Sequence, residues 1–420
     1  QELFVEEDRI AQPASMLLDP IVRQARAFGI HVLLGSQTLG GAYTVARATL
    51  GQMAIRIALQ CNEAEAYLIM DDTNSAPRLL SRPGEGIYND EGGSLQGNSP
   101  FQAVWLSDEV RDACLAQVSQ QSIKSSVRRA APVVFEGNAP SDVRENPLLQ
   151  SLLDAEGVAS AAAPRIWLGA PNAIKGPTEA VFHRQSGNHL LMVGQNDDSV
   201  LAILGIGLVS LAAQLSGNKT RFIVFDASVP GTPQRDYVEK VAQAVPHTVT
   251  LARSGDAETI FKELEQELQR RSDSDTPASE PTIFVMIHGL QKFNRLRYEE
   301  DFGFSSGDAG APPNPGAQLN RLIQEGAARG IHMIVTCDTW NNVNRFLSRK
   351  ALSEFELRVL FQMSATDSAS LIDSPKASTL GLHRALFYNE QEGRVEIFRP
   401  YAKPPGDWIE AADQSLRRLI

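Results

Sequence analysis

The stretch Gly326-Ala327-Ala328-Arg329-Gly330-Ile331-His332-Met333-Ile334-Val335 has a counterpart 301 residues earlier, Ala25-Arg26-Ala27-Phe28-Gly29-Ile30-His31-Val32-Leu33-Leu34. Two further blocks follow in the same order. Ile55-Arg56-Ile57-Ala58-Leu59-Gln60 matches Leu357-Arg358-Val359-Leu360-Phe361-Gln362, and Gly86-Ile87-Tyr88-Asn89 matches Leu386-Phe387-Tyr388-Asn389, at offsets of 302 and 300. An internal repeat constrains the whole architecture. In each copy a helix ends at a glycine, where positive φ costs little, and passes into an apolar run short enough for a strand buried on both faces. Each copy reads as helix, Gly, strand, helix, strand, helix, strand, which is an α/β pattern.

The second copy carries an upstream half: strand Leu190 to Val193, a long apolar helix, strands Phe222 to Phe225 and Thr248 to Leu251, helix Glu258 to Arg271, and strand Ile283 to Ile287. Strands alternating with helices favour a largely parallel sheet. The corresponding half of the first copy would fall before residue 1, so that copy is expected to be truncated at its amino end. The expected division is residues 1–115, a connector over 116–164, and residues 165–420. The connector includes Arg128-Arg129 and a short strand Val133-Val134-Phe135. Two segments rich in Ser, Asp, Gly and Pro, Ser272 to Pro281 and Gly303 to Gly316, read as surface insertions.

At 420 residues the chain is long enough for two or three domains, and 43% apolar with 21% charged residues excludes wholesale disorder, collagen and coiled coil. A formal charge of −11 is the wrong sign for a module that coats itself in nucleic acid. Cys61, Cys114 and Cys337 are far apart and lack CxxC spacing, so neither a disulfide framework nor a zinc site is indicated, and a reducing cytoplasmic setting is expected. The start, Gln1-Glu2-Leu3-Phe4-Val5-Glu6-Glu7-Asp8, is acidic where a signal peptide is basic, and reads as cut from something longer. The longest apolar run, Val200 to Leu215, is shorter than a bilayer span and contains Ser210 and Gln214, which predicts a core helix.

Between the strand at Leu191 and that helix lies Gly194-Gln195-Asn196-Asp197-Asp198-Ser199-Val200-Leu201, the position of a phosphate-binding loop. In such a loop, GxxxxGK followed by Ser or Thr, the second Gly lets backbone amides close on the phosphates, the Lys neutralises charge and the hydroxyl binds Mg²⁺. Those places hold Ser199, Val200 and Leu201. Asp197 and Asp198 add negative charge where a polyphosphate would sit. An ordinary strand-to-helix turn is the alternative reading; the repeat favours a degenerate phosphate loop. Hydrolysis also needs acids at the end of a buried strand, and Ile283 to Ile287 is followed by His288-Gly289 instead. His288 alternatively reads as a hydrogen-bonded polar residue at a strand end. The spacing of the seven histidines suggests no metal site.

Val32 to Thr38, Arg56 to Gln60 and Leu79 to Tyr88 resemble the second half of the motor domain of the FtsK/SpoIIIE translocases, with its GIH, TRIAFQ and LL-G-G-LY blocks. The tandem layout, and Glu356-Leu357-Arg358 followed by Asp367-Ser368 and Ile372-Asp373, also resemble the type VII secretion ATPases of the EccC kind. The resemblance implies tandem RecA-like P-loop NTPase domains. It implies that a polar residue after the GIH strand senses the γ-phosphate, Gln37 in the first copy; the same place in the second holds Asp338, an acid in place of the amide and a third loss beside Val200 and His288. It implies too that ATP and Mg²⁺ serve the full-length protein. Arg56 and Arg47 become candidates for an arginine acting across a ring boundary, with a structural ion pair as the alternative for either. Glu6, Glu7 and Asp8 match the segment after the family's acidic strand, or equally a solvated helix start. A homo-oligomeric, hexameric ring and membrane anchoring through upstream segments are further implications.

Three functions follow as expectations: a ring motor moving a polymer, DNA by default; a motor for protein secretion, favoured by the acidic balance; and a non-catalytic pseudo-ATPase scaffold that docks a peptide. In each, the 420-residue chain is expected to hydrolyse no ATP.

Overall fold

The computed structural model describes residues 11–37, 47–124, 139–158, 161, 163–173, 175–273, 280–298 and 314–419. The expectations for Glu6 to Asp8, for a strand at Val133 to Phe135 and for most of the two insertions fall outside these residues. The chain divides into two compact units, Gln1–Pro132 and Val133–Ile420.

The second unit begins its described part with α5 (Pro147–Leu153), followed by β4 (Arg165–Pro171), β5 (Thr178–Val181), β6 (Leu190–Val193), α6 (Asp197–Gln214), β7 (Thr220–Asp226), α7 (Pro233–Ala244), β8 (Thr248–Ala252), α8 (Ala257–Ser272) and β9 (Thr282–His288). Then come α9 (Pro315–Glu325), β10 (Ile331–Cys337), α10 (Trp340–Phe346), α11 (Arg349–Ser353), β11 (Leu357–Leu360), α12 (Ala365–Ile372), β12 (Ala385–Asn389), β13 (Arg394–Pro400) and α13 (Gly406–Leu419). One sheet of ten strands runs β5-β4-β13-β12-β11-β6-β10-β9-β7-β8. From β11 to β8 all neighbours are parallel; from β5 to β11 they are antiparallel. Along β6, Leu190 and Met192 enter one core and Leu191 and Val193 the other, as expected of a parallel strand covered on both faces. Helix α6 is apolar all round because it is buried all round: every residue from Val200 to Gln214 is buried. Among the described residues it alone is long and apolar enough to cross a membrane, and 83% of it lies inside the unit.

The connector expected over 116–164 is divided between the units. Its second part belongs to the core of the second unit, where Val143, Leu149 and Leu153 are buried and Ser141 bridges to Tyr401.

The described part of the first unit contains α1 (Ala11–Gln24), α2 (Arg47–Leu50), β1 (Arg56–Leu59), α3 (Glu63–Ile69), β2 (Glu85–Asn89), β3 (Asn98–Gln102) and α4 (Asp108–Lys124), with the three strands in one antiparallel sheet. The repeat holds in detail: Gly29 and Gly330 end their helical turns with φ of 73° and 74°. One expectation fails. Ile30 to Leu34 form no strand, although their counterparts form β10. β10 is hydrogen-bonded by β6 on one side and β9 on the other, and no described residues of the first unit correspond to those strands. Without a ladder an apolar run has no reason to be a strand. The exposure follows the same logic: Ile30, Leu33, Ile57 and Leu59 are 53%, 95%, 53% and 57% exposed, whereas Ile331, Ile334, Val359 and Phe361 are buried. In α4 nothing is buried, while α13, at the same place in the order of elements, buries Trp408, Ile409 and Leu416.

Candidate functional site

The carboxyl end of the parallel strands in the second unit gathers the residues singled out by sequence. Gly194 leaves β6 with φ 140°, and a Cβ there would lie 2.6 Å from Cβ of Phe361, so only glycine fits. Its amide donates to the carbonyl of Cys337 (3.0 Å). Helix α6 then starts at Asp197, only three residues later. Its first turn is closed from within: the Asn196 side chain accepts from the amide of Ser199 (3.1 Å), and the Asn196 carbonyl accepts from that of Val200 (3.0 Å). Gln195 and Asp197 are exposed, Val200 and Leu201 are core residues, and Asp198 is paired with Lys403 (2.6 Å). Gly194, Asp197, Val200, His288, Gly289, Gln291, Lys292, Thr336, Cys337 and Asp338 all face one cleft of about 10 Å³. That is the lower limit for a single water.

His288 ends β9 and donates Nδ1–H to Asp226 Oδ1 (2.9 Å) at the end of β7. Asp226 also binds the Arg235 guanidinium (3.0 Å), which reaches on to Glu239 (2.6 Å), and it accepts from the amide and hydroxyl of Ser228 (3.1 and 2.7 Å). Burial pushes the Asp226 carboxyl up, but the hydrogen bonds from His288 and Ser228 prevail and hold it near 2. The hydrogen-bonded reading of His288 is the one the geometry gives. Gly289 donates its amide to Thr336 Oγ1 (2.7 Å). Asp338 accepts from Asn342 (2.7 Å) and Thr339 (3.2 Å), and burial pushes the neighbouring Cys337 thiol up to about 12, which keeps it protonated. Among the described residues no three His, Cys, Asp or Glu side chains are placed to hold a metal ion.

Sequence reasoning missed Asp226, Arg235, Thr336 and Lys403. Asp226 had a signal, since it is a carboxylate closing the apolar run Phe222 to Phe225; Arg235 and Lys403 had none, because their partners are 9 and 205 positions away.

In the first unit Gln37 is exposed in a bend, and Arg47 opens α2. Arg56 is half-buried. Its guanidinium donates to the carbonyls of Met53, Ile69 and Met70 (3.2, 3.1 and 2.6 Å).

No protein-family model and no curated protein matches the sequence. Solved structures do. The cytoplasmic domain of the type VII secretion ATPase EccC of Thermomonospora curvata superposes with a TM-score of 0.61 at 15% identity, over 97% of this chain and 48% of that one. The pCW3 conjugation coupling protein TcpA, solved with ATPγS, gives 0.46 at 14% identity over 80% and 91%. T. curvata EccC ATPases 2 and 3, in complex with a signal sequence peptide, give 0.45 at 13% over 69% and 53%. The chain therefore shares the α/β fold of that secretion ATPase's cytoplasmic domain. It spans about half the length of the secretion ATPase structure.

Proposed function

We propose that this chain is part of a tandem ring ATPase that moves a polymer, and that its second unit is a nucleotide-inactive copy kept for assembly and docking. The observation that carries the reading is the closed first turn of α6. Asn196 takes the amides of Ser199 and Val200, the lysine position is the core residue Val200, and two acids stand at the helix start. The residues therefore do not fit a Mg²⁺-nucleotide, and no hydrolytic step is assigned to this unit. The first unit keeps the exposed Gln37 as a γ-phosphate-sensing candidate, and its exposed Leu33, Ile57 and Leu59 correspond to Ile334, Val359 and Phe361, which share a core with α6 in the second unit.

For the cargo, the likeness to a secretion ATPase and the charge of −11 favour a polypeptide handled on the cytoplasmic side of a membrane. DNA is the second reading, favoured by the first copy's GIH and RIA blocks. The test is ligand-linked stability. A site that binds ATP raises unfolding free energy by about 2.7 kcal/mol at a hundred times its Kd. The melting of the second unit should be unmoved by millimolar Mg²⁺-ATP, and a saturable upward shift would overturn the reading.

A further inference from the structure

Arg56 and Arg358 stand 302 residues apart at corresponding places in β1 and β11. Arg56 donates Nε to the carbonyl of Met53 (3.2 Å) and Nη1 to that of Ile69 (3.1 Å). Arg358 donates Nε to the carbonyl of Phe355 (2.8 Å) and Nη1 to that of Leu371 (2.5 Å). The acceptors are themselves 302 residues apart, Met53 with Phe355 and Ile69 with Leu371. They are also different residue types, so what has been kept is the position of a backbone carbonyl, not a side-chain partner. Ile69 ends α3, and Leu371 lies in the last turn of α12. These are carbonyls that a helix leaves without an internal partner, at the negative end of its dipole. Each guanidinium therefore spans from the turn before its strand to the end of the helix after it.

We infer that Arg56 and Arg358 are one device used twice, a guanidinium clamp that fastens each strand to the carboxyl end of the following helix. Nε and Nη1 of Arg56 are committed within its own unit, Nη1 also to the carbonyl of Met70 (2.6 Å), which fits a structural arginine better than one reaching a nucleotide across a ring boundary. Lysine cannot replace it fully, since one ammonium nitrogen has to serve two carbonyls on different segments. Arg358 makes an extra ion pair with Glu390 (2.7 Å), at an exposed carboxylate, which adds little. The inference stands whether or not the translocase reading does.

Hydrogen exchange on the 420-residue chain tests it by mass spectrometry. Arg358→Met should speed exchange over residues 365–373 at least tenfold and leave 197–214 unchanged. Arg56→Met should do the same over 63–70. The two Lys variants should fall between, and Glu390→Gln should stay within twofold of the parent. If Arg56→Met does not fold, Arg56→Lys is read over the same segment, where faster exchange supports the clamp. Rates within twofold of the parent over 63–70 or 365–373 would overturn it, as expected of an arginine held ready for a neighbouring subunit.

Discussion

Taking the second unit from pH 7.5 to 5.0 should remove about 4 kcal/mol of its stability, because two of its histidines cannot take up a proton while it is folded. His189 and His332 are fully buried. His189 donates Nε2–H to the carbonyl of Ile323 (2.8 Å) and accepts at Nδ1 from the amide of Met333 (2.9 Å). A proton on Nδ1 would face that N–H. His332 donates Nδ1–H to the carbonyl of Asn188 (3.0 Å), with the rings of Phe182 and Phe284 at 5.4 and 5.3 Å. Burial is the main cause that lowers His189 to about 3 and His332 to about 4, from 6.5. Since both folded values lie below the unfolded one, the unfolded chain binds protons first as pH falls. The contribution is complete above pH 6.5 and is lost progressively below it, down to the folded values. At pH 5.0 each histidine contributes roughly 1.5 pH units of linkage, about 2 kcal/mol at 1.36 kcal/mol per unit. His247, lowered by burial, adds in the same sense, and Glu356, raised by burial and by Glu390 and Glu354, acts in the opposite one. His332→Asn, which keeps a donor near Nδ1, isolates the pair: near pH 5 the slope should fall from about 2.7 to about 1.4 kcal/mol per pH unit. Urea unfolding followed through buried Trp167 measures this. A loss below 1 kcal/mol between the two pH values, or an unchanged slope in His332→Asn, would refute the argument.

Asp226→Asn leaves Arg235 and His288 buried beside a neutral amide and should cost about 3–5 kcal/mol, read by denaturant midpoint. Gly194→Ala should destabilise by about 2–4 kcal/mol through its φ of 140° and the clash with Phe361, in the same assay. Steady-state phosphate release from the chain should be indistinguishable from buffer, and Val200→Lys should not create it. Anisotropy with a labelled duplex should show weak or no binding at physiological salt, since Lys292, Arg295 and Arg297 form a small exposed basic group and Arg295 already meets Glu258; tight, steeply salt-dependent binding would make DNA the better cargo.

The strands β6, β7, β9 and β10 were legible because each is a continuous apolar run, which only a two-sided core accommodates. β13 was not: Arg394-Val395-Glu396-Ile397-Phe398-Arg399-Pro400 carries three charges, and its place depends on pairing with β12 and β4. Ile30 to Leu34 shows the converse, since a run with the apolar pattern of β10 is not a strand where no described residues supply its neighbours. For the site, residue types at Ser199, Val200 and His288 announced what was missing. They could not announce what replaced it, because Asp226 lies 62 residues from His288 and meets it only through the β7–β9 register.

On the proposed reading, each piece of nucleotide chemistry missing from the second unit has an internal substitute. Asn196 takes the amides of Ser199 and Val200, Lys403 answers Asp198, and the His288–Asp226–Arg235 chain fills the strand ends where a metal's acids would stand. A site satisfied in this way gains nothing from a ligand and loses packing to admit one. Val200 illustrates the point: it is 4% exposed and belongs to the core that contains Leu204 and Met286. A lysine there would have to bury its charge or leave the core, and either disturbs the helix it was meant to serve. Restoring the motif's letters one at a time therefore moves this unit away from stability before it moves it towards catalysis.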